Sequence, residues 1–201
     1  MMKIMSNNYV PIMRRRQEGK TNYRKRKAII LSRLPFVSAF ISGKNILVQI
    51  LSPQKEGDVA LASAHSRELI KFGWMGSRKN IPAAYLTGLL AGLKAKDKVK
   101  EAILYTGLRR FVLNSRIAAV VKGLLDAGVS IPIDHETLPS EERLKGKHIA
   151  DYAKYLLEKD KVLYNERFSN LIRKALNPEF IPEHFEDVRK KIMQGFEARK
   201  A

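Results

Sequence analysis

"PFVSAFISGKNILVQIL", residues 35–51, decides the fold. Two runs rich in Val, Ile and Phe, residues 36–41 and 46–51, flank Ser42, Gly43, Lys44 and Asn45. Apolar runs of strand length on either side of such turn chemistry predict an antiparallel hairpin. A third run, Val59 to Ala64 behind Gly57 and Asp58, is rich in alanine and predicts a further strand.

Outward from the hairpin, the apolar spacing changes from two to three and four. In "NIPAAYLTGLLAGLKAKDK", Asn80 is placed to cap a helix and Pro82 falls in its first turn, while Leu86, Leu89, Leu90 and Leu93 share one face. Gly88 and Gly92 are expected to let this helix lie close on the sheet. "EAILYTGL" (101–108) predicts a short buried strand. "NSRIAAVVKGLLDAG" (114–128) predicts a helix capped by Asn114, with Ile117, Val120, Val121, Leu124 and Leu125 inward and Gly128 at its exit. Strand, helix, strand, helix implies a parallel crossover beside the hairpin. The fold class is therefore α/β, a mixed sheet with packed helices.

Beyond Pro132 the pattern is helical. "GKHIADYAKYLLEKD" places Ile149, Tyr152, Ala153, Leu156 and Leu157 in register, and "NPEFIPEHFEDVRKKIMQGF" does so through Phe185, Val188, Ile192 and Phe196. Three regions result: a basic N-terminal arm at 1–33, an α/β core at 34–133, and a linker with a C-terminal helical extension at 134–201.

The chain has 201 residues, no cysteine, 38 Lys and Arg against 20 Asp and Glu, and a net charge of +18. Zero cysteines exclude disulfides, thiolate metal sites and a Cys nucleophile. No apolar run is long enough for a membrane span, and no secretory h-region precedes the basic block, so an intracellular chain is expected. So much like charge calls for a polyanionic partner. Its distribution is uneven: residues 1–33 carry ten Lys and Arg against one Glu, net +9.

That excess concentrates in "RRRQEGKTNYRKR" and Lys27. Without apolar periodicity up to Lys27, the arm is expected to order on its partner, with a short helix starting after Thr21 or Asn22. Arg14, Arg15 and Arg16 offer planar forks for phosphate, Gly19 permits close backbone approach, and Tyr23 can stack on an unpaired base.

Catalytic candidates are few. Asp134, His135 and Glu136 are adjacent but sit in a Pro-flanked loop with no second cluster, and His65, His148 and His184 are widely separated. No P-loop, G-x-G-x-x-G or G-x-S-x-G occurs. Neither catalytic residues, a metal site, a cofactor nor a small-molecule substrate is expected. The competing class is a DNA-binding architectural protein, which would also be basic.

Four segments, "VPIMRRRQEGKTNYRKR", "GWMGSRKNIPAAYLTGLLAG", "GLLDAGVSIP" and "LKGKHIADYA", together resemble the archaeal and eukaryotic branch of the universal large ribosomal subunit protein 18 family. The resemblance runs in order from about Val10 to Tyr152. It implies a cytoplasmic, structural ribosomal protein that binds 5S rRNA and helps dock it onto 23S rRNA in the central protuberance, beside other large-subunit proteins. It further implies RNA contacts from Arg14, Arg15, Arg16, Lys20, Thr21, Asn22, Tyr23, Arg24, Lys25 and Arg26, and from the loop Gly73–Asn80 with Trp74, Ser77, Arg78 and Lys79. Lys27 joins the arm on charge alone. Gln17, Asn22 and Tyr105 depart from the family pattern, and Arg109 and Arg110 add charge near the last of them.

Overall fold

The computed structural model describes residues 11–54 and 56–197; the first ten residues of the arm lie outside them. Its centre is the predicted hairpin. Strand β1 (Phe36–Ile41) pairs antiparallel with β2 (Ile46–Ser52). Ser42 closes the turn, its N–H donating to the Asn45 carbonyl at 2.8 Å and its Oγ accepting from the Asn45 N–H at 3.0 Å. Strand β3 (Val59–His65) adds antiparallel to β2 with an irregularity at Ile50/Leu51, and β4 (Ile103–Tyr105) adds parallel to β1. The strand order is β3-β2-β1-β4.

Strand alternation sends Val37, Val48 and Ile50 to one face, and all three are buried there. Helix α3 (Ile81–Ala95) covers that face. Asn80 caps it as expected, its Oδ1 accepting from the Ala83 N–H at 3.0 Å. Helix α4 (Arg116–Asp126) packs on the outer side of α3, which is why α3 is apolar nearly all round rather than along one stripe.

The reading of Gly88 and Gly92 needs correction. They serve the α3–α4 crossing, not the sheet: a Cβ on Gly88 would stand 2.2 Å from the Val120 carbonyl oxygen, and one on Gly92 2.5 Å from the Ala127 Cβ. Gly123 of α4 answers from the other side, where a Cβ would meet the Tyr85 carbonyl oxygen at 2.3 Å. Two helices at backbone contact leave no room for side chains between them.

Other expectations shift for local reasons. The cap of α4 is Ser115, whose Oγ accepts from the Ala118 N–H at 3.4 Å, while Asn114 takes a left-handed turn at φ 54°. Asparagine tolerates that region, so it fits one position before the cap. Strand β4 covers only three of the eight residues 101–108 and is half-buried, because it is the sheet edge and Gly107 turns the chain away at φ 64°.

The C-terminal part comprises α5 (Glu141–Lys145), α6 (Lys147–Lys159), α7 (Lys161–Ile172) and α8 (Ile181–Glu197). Phe185, Val188 and Ile192 of α8 belong to the same buried cluster as the sheet and α3. Tyr85 ties three helices together: its hydroxyl donates to Asp126 Oδ2 of α4 at 2.7 Å and its ring leans on Phe185 at 5.5 Å. Burial, then Asp126, pushes its phenol well above the ordinary range. In α6, Ala153 and Leu156 are buried as predicted, but Tyr152 and Leu157 are exposed and Ala150 replaces them. The reason is α7, whose Tyr164 and Phe168 bury Ala153 and Leu156 while the Tyr152 ring meets Phe168 only at its edge, at 6.3 Å.

Candidate nucleic-acid interface

From residue 14 the arm is folded into two helices. Helix α1 (Arg14–Gln17) is one turn without buried residues, and Gly19 reverses the chain at φ 61°. Helix α2 (Tyr23–Ser32) starts where expected, with Asn22 Oδ1 accepting from the N–H groups of Arg24 and Lys25 at 3.1 and 3.2 Å. Asn22 therefore performs the cap itself. Only Ile29 of α2 is buried, so apolar contact holds the helix weakly.

A charged strut supplements it. Arg26 donates from Nη1 to Asp58 Oδ2 at 2.6 Å and from Nη2 to Asp58 Oδ1, and its guanidinium lies 6.0 Å from the Phe36 ring centre. The hydrogen bond to Asp58 pushes the Arg26 guanidinium further up, against partial burial. Arg26 thus faces Asp58 in the structure, not the open surface. Arg14 and Lys20 both reach Glu18, at 2.8 and 2.6 Å, and Lys20 first, then Arg14, hold that carboxyl below its usual range. Arg15 Nε donates to Thr21 Oγ1 at 2.9 Å, and Lys25 Nζ reaches the Gly107 carbonyl at 3.4 Å. These outer contacts are exposed and contribute little energy. Arg14, Arg15, Arg16, Lys20, Arg24, Lys25 and Lys27 remain on the surface, with Tyr23 half-buried among them.

The loop Gly73–Asn80 is built differently. Trp74 is 2% exposed, packed in the core with its Nε1 donating to the Ser77 carbonyl at 3.2 Å and its ring stacked on His184 at 5.2 Å. Gly76 makes room for it: a Cβ there would come 2.6 Å from the indole. Trp74 has no free face for a base, and its place among RNA contacts passes to internal packing. Ser77 and Lys79 are exposed and Arg78 is half-buried. Two distant residues clasp the loop at Met75. His184 Nε2 accepts from the Met75 N–H at 3.1 Å, and Lys174 Nζ donates to the Met75 carbonyl at 3.0 Å.

The acceptor role requires neutral imidazole. Burial lowers the His184 pKa from its ordinary 6.5, Lys191 lowers it further, and Asp187 opposes. A histidine lowered on folding gives stability that is complete above its unfolded-state value and lost as pH falls through that value toward the folded one. The unfolding midpoint is therefore expected to drop between neutral and mildly acid pH. His184→Gln keeps an acceptor without the titration and should reduce that dependence in thermal melts at several pH values. It should not abolish it, because burial and Arg143 also lower His148. An undiminished pH dependence in the variant would refute the assignment.

Arm and loop do not share one hollow. The arm residues Arg16, Asn22, Tyr23 and Arg24 line a depression with Leu108, whereas Arg78 and Lys79 line another with residues of α7. Arg109 lies over the Phe40 ring at 5.1 Å. Asp134, His135 and Glu136 are exposed, and no group of three or more His, Cys, Asp or Glu able to hold a metal occurs among the described residues. No helix among them is long and apolar enough to cross a membrane.

A family model described as ribosomal large subunit proteins 60S L5 and 50S L18 matches residues 7–102. Large ribosomal subunit protein uL18 of Thermofilum pendens is 48% identical over 189 residues, covering 94% of this chain and 96% of that protein. The chain belongs to this family. Two further uL18 proteins agree: that of Aeropyrum pernix is 48% identical over 92% of this chain and 87% of its own length, and that of Caldivirga maquilingensis 44% over 98% and 96%. The uL18 family is one of ribosomal structural constituents, not of enzymes. Lys44, Arg167 and Lys174, which also border the loop, carry no signal in the sequence beyond isolated charge.

Proposed function

We propose that the chain is a structural constituent of the large ribosomal subunit that binds 5S rRNA and helps attach it to 23S rRNA in the central protuberance. The observation that carries RNA binding is the arm, whose eight cations between Arg14 and Lys27 include seven on the surface, with one carboxylate among them, on a rigid α/β body. Family membership supports a ribosomal RNA as the partner. The mechanism divides the work. Arm cations displace condensed counterions from phosphates, which gives affinity, and the folded body presents a fixed shape, which gives selection. Arg14, Arg15, Arg16, Lys20, Arg24, Lys25 and Lys27 are the phosphate contacts in this reading, Tyr23 the stacking residue, and Thr21 and Asn22 the residues that shape the arm. Ser77, Arg78 and Lys79 supply a second contact, and Arg26 acts by fixing α2.

Recovery of RNA from the native protein, followed by sizing, tests the reading. One dominant small ribosomal RNA is the expected result. Competition by an unrelated RNA of equal length, or by duplex DNA, as strong as that by 5S rRNA would overturn it, the second favouring a DNA-binding architectural protein.

A further inference from the structure

A cleft of about 710 Å³ lies between the hairpin tip, the Gly73–Asn80 loop and α7. Lys44, Arg78, Lys79, Arg167 and Lys174 all line it, and no Asp or Glu does. None of these five is in a salt bridge among the described residues. Cations drawn from three separate parts of the chain repel one another when nothing compensates them, and a desolvating wall makes that repulsion larger. Where cations and carboxylates meet on the body they pair: Arg26 has Asp58, Lys94 has Glu68, Lys145 has Glu186. What sets the cleft apart is that five cations share one hollow whose walls carry no carboxylate, so a counter-charge from outside would relieve their repulsion.

Its construction indicates the form of that charge. Lys174 is held against the Met75 carbonyl, so the α7 wall is fixed relative to the loop before any ligand arrives. Phe168 and Leu171 form part of the floor between the charged walls. Lys79 also borders an adjoining hollow of about 460 Å³ with Arg116 and Arg143, so the positive surface continues past the cleft. A continuous cationic track suits a chain of phosphates better than a single anion or a short acidic peptide.

We infer that this cleft is a second binding site for the RNA backbone, one that α7 of the C-terminal part completes. The inference rests on the reading that the chain binds ribosomal RNA and extends it to Lys44, Arg167 and Lys174. The site acts independently of the arm.

Lys44→Gln with Arg167→Gln in the full chain provides the test, since neither side chain is in a salt bridge among the described residues. Filter binding to transcribed 5S rRNA and to an unrelated structured RNA of equal length is followed between about 50 and 200 mM KCl. Loss of two phosphate contacts should flatten the log–log salt dependence by roughly 1.4 to 1.8, with an unchanged melting temperature. The effect should add to that of an arm variant. An unchanged slope on both RNAs, while the arm variant still flattens it, would overturn the inference and leave the arm reading standing. A wild-type chain that holds both RNAs equally would instead refute selectivity for 5S rRNA, and a flattened slope on both would still support the cleft.

Discussion

Replacing Arg14, Arg15, Arg16, Lys20 and Arg24 together by glutamine is expected to flatten the salt dependence of rRNA binding by roughly 3.5 to 4.5 on log–log axes. All five are exposed, and none is in an ion pair with the body of the protein. Extrapolated to molar salt, where the counterion contribution vanishes, variant and wild type should converge. At about 0.15 M the same slopes separate them roughly a thousandfold. The substitutions leave Asn22, Arg26 and Ile29 in place, so α2 keeps its cap, its strut and its buried residue. A truncation through residue 27 would remove the cap and strut and confuse loss of charge with loss of structure. Filter binding at graded salt measures the slope, and circular dichroism checks that the fold persists. A slope unchanged by five neutralised cations would show that the arm does not meet phosphate.

Gly123→Ala should have the largest effect on stability, and of the sign opposite to helix propensity. In an exposed helix interior the change to alanine would stabilise by about 1 kcal/mol. Here the new methyl would stand 2.3 Å from the Tyr85 carbonyl oxygen and 2.7 Å from the Leu89 nitrogen, both backbone atoms of α3 that cannot rotate away. The helices must separate, the facing Gly88–Val120 contact opens with them, and the net cost is about 3 kcal/mol. That is a large fraction of the stability of a typical domain. Gly195→Ala is the matched control. It lies in α8 with nothing nearer than 3.4 Å, so it should stabilise by up to about 1 kcal/mol. Urea midpoints of the two variants should move in opposite directions, and a raised midpoint for Gly123→Ala would mean that the crossing has slack.

The hairpin and the two central helices were legible because each rests on local chemistry: turn residues at 42–45, a cap at Asn80, apolar spacing through Leu86, Leu89 and Leu90. What the glycines of α3 and α4 face was not legible, since periodicity says that a residue is buried but not against which neighbour. The arm was legible as charge, and its helix start at Asn22 as a cap. The fate of Arg26 was not, because Asp58 lies across a long stretch of chain and pairs with it only once the sheet has formed. Trp74 divided the two kinds of information. The family resemblance implied an RNA contact for it, while the residue that covers it, His184, arrives from the last helix. Lys44, Arg167 and Lys174 escaped notice for the same reason: isolated cations on amphipathic helices or turns read as solvated until the fold sets them around one space.

The clasp at Met75 imposes an order in time. Translation delivers the Gly73–Asn80 segment about a hundred residues before Lys174 and His184. A nascent chain can therefore offer its arm to a nucleic acid while this second segment still lacks the two groups that fix its backbone. On the proposed reading, docking would be staged by vectorial synthesis, with the arm available early and the clasped segment only when the last helix has been made.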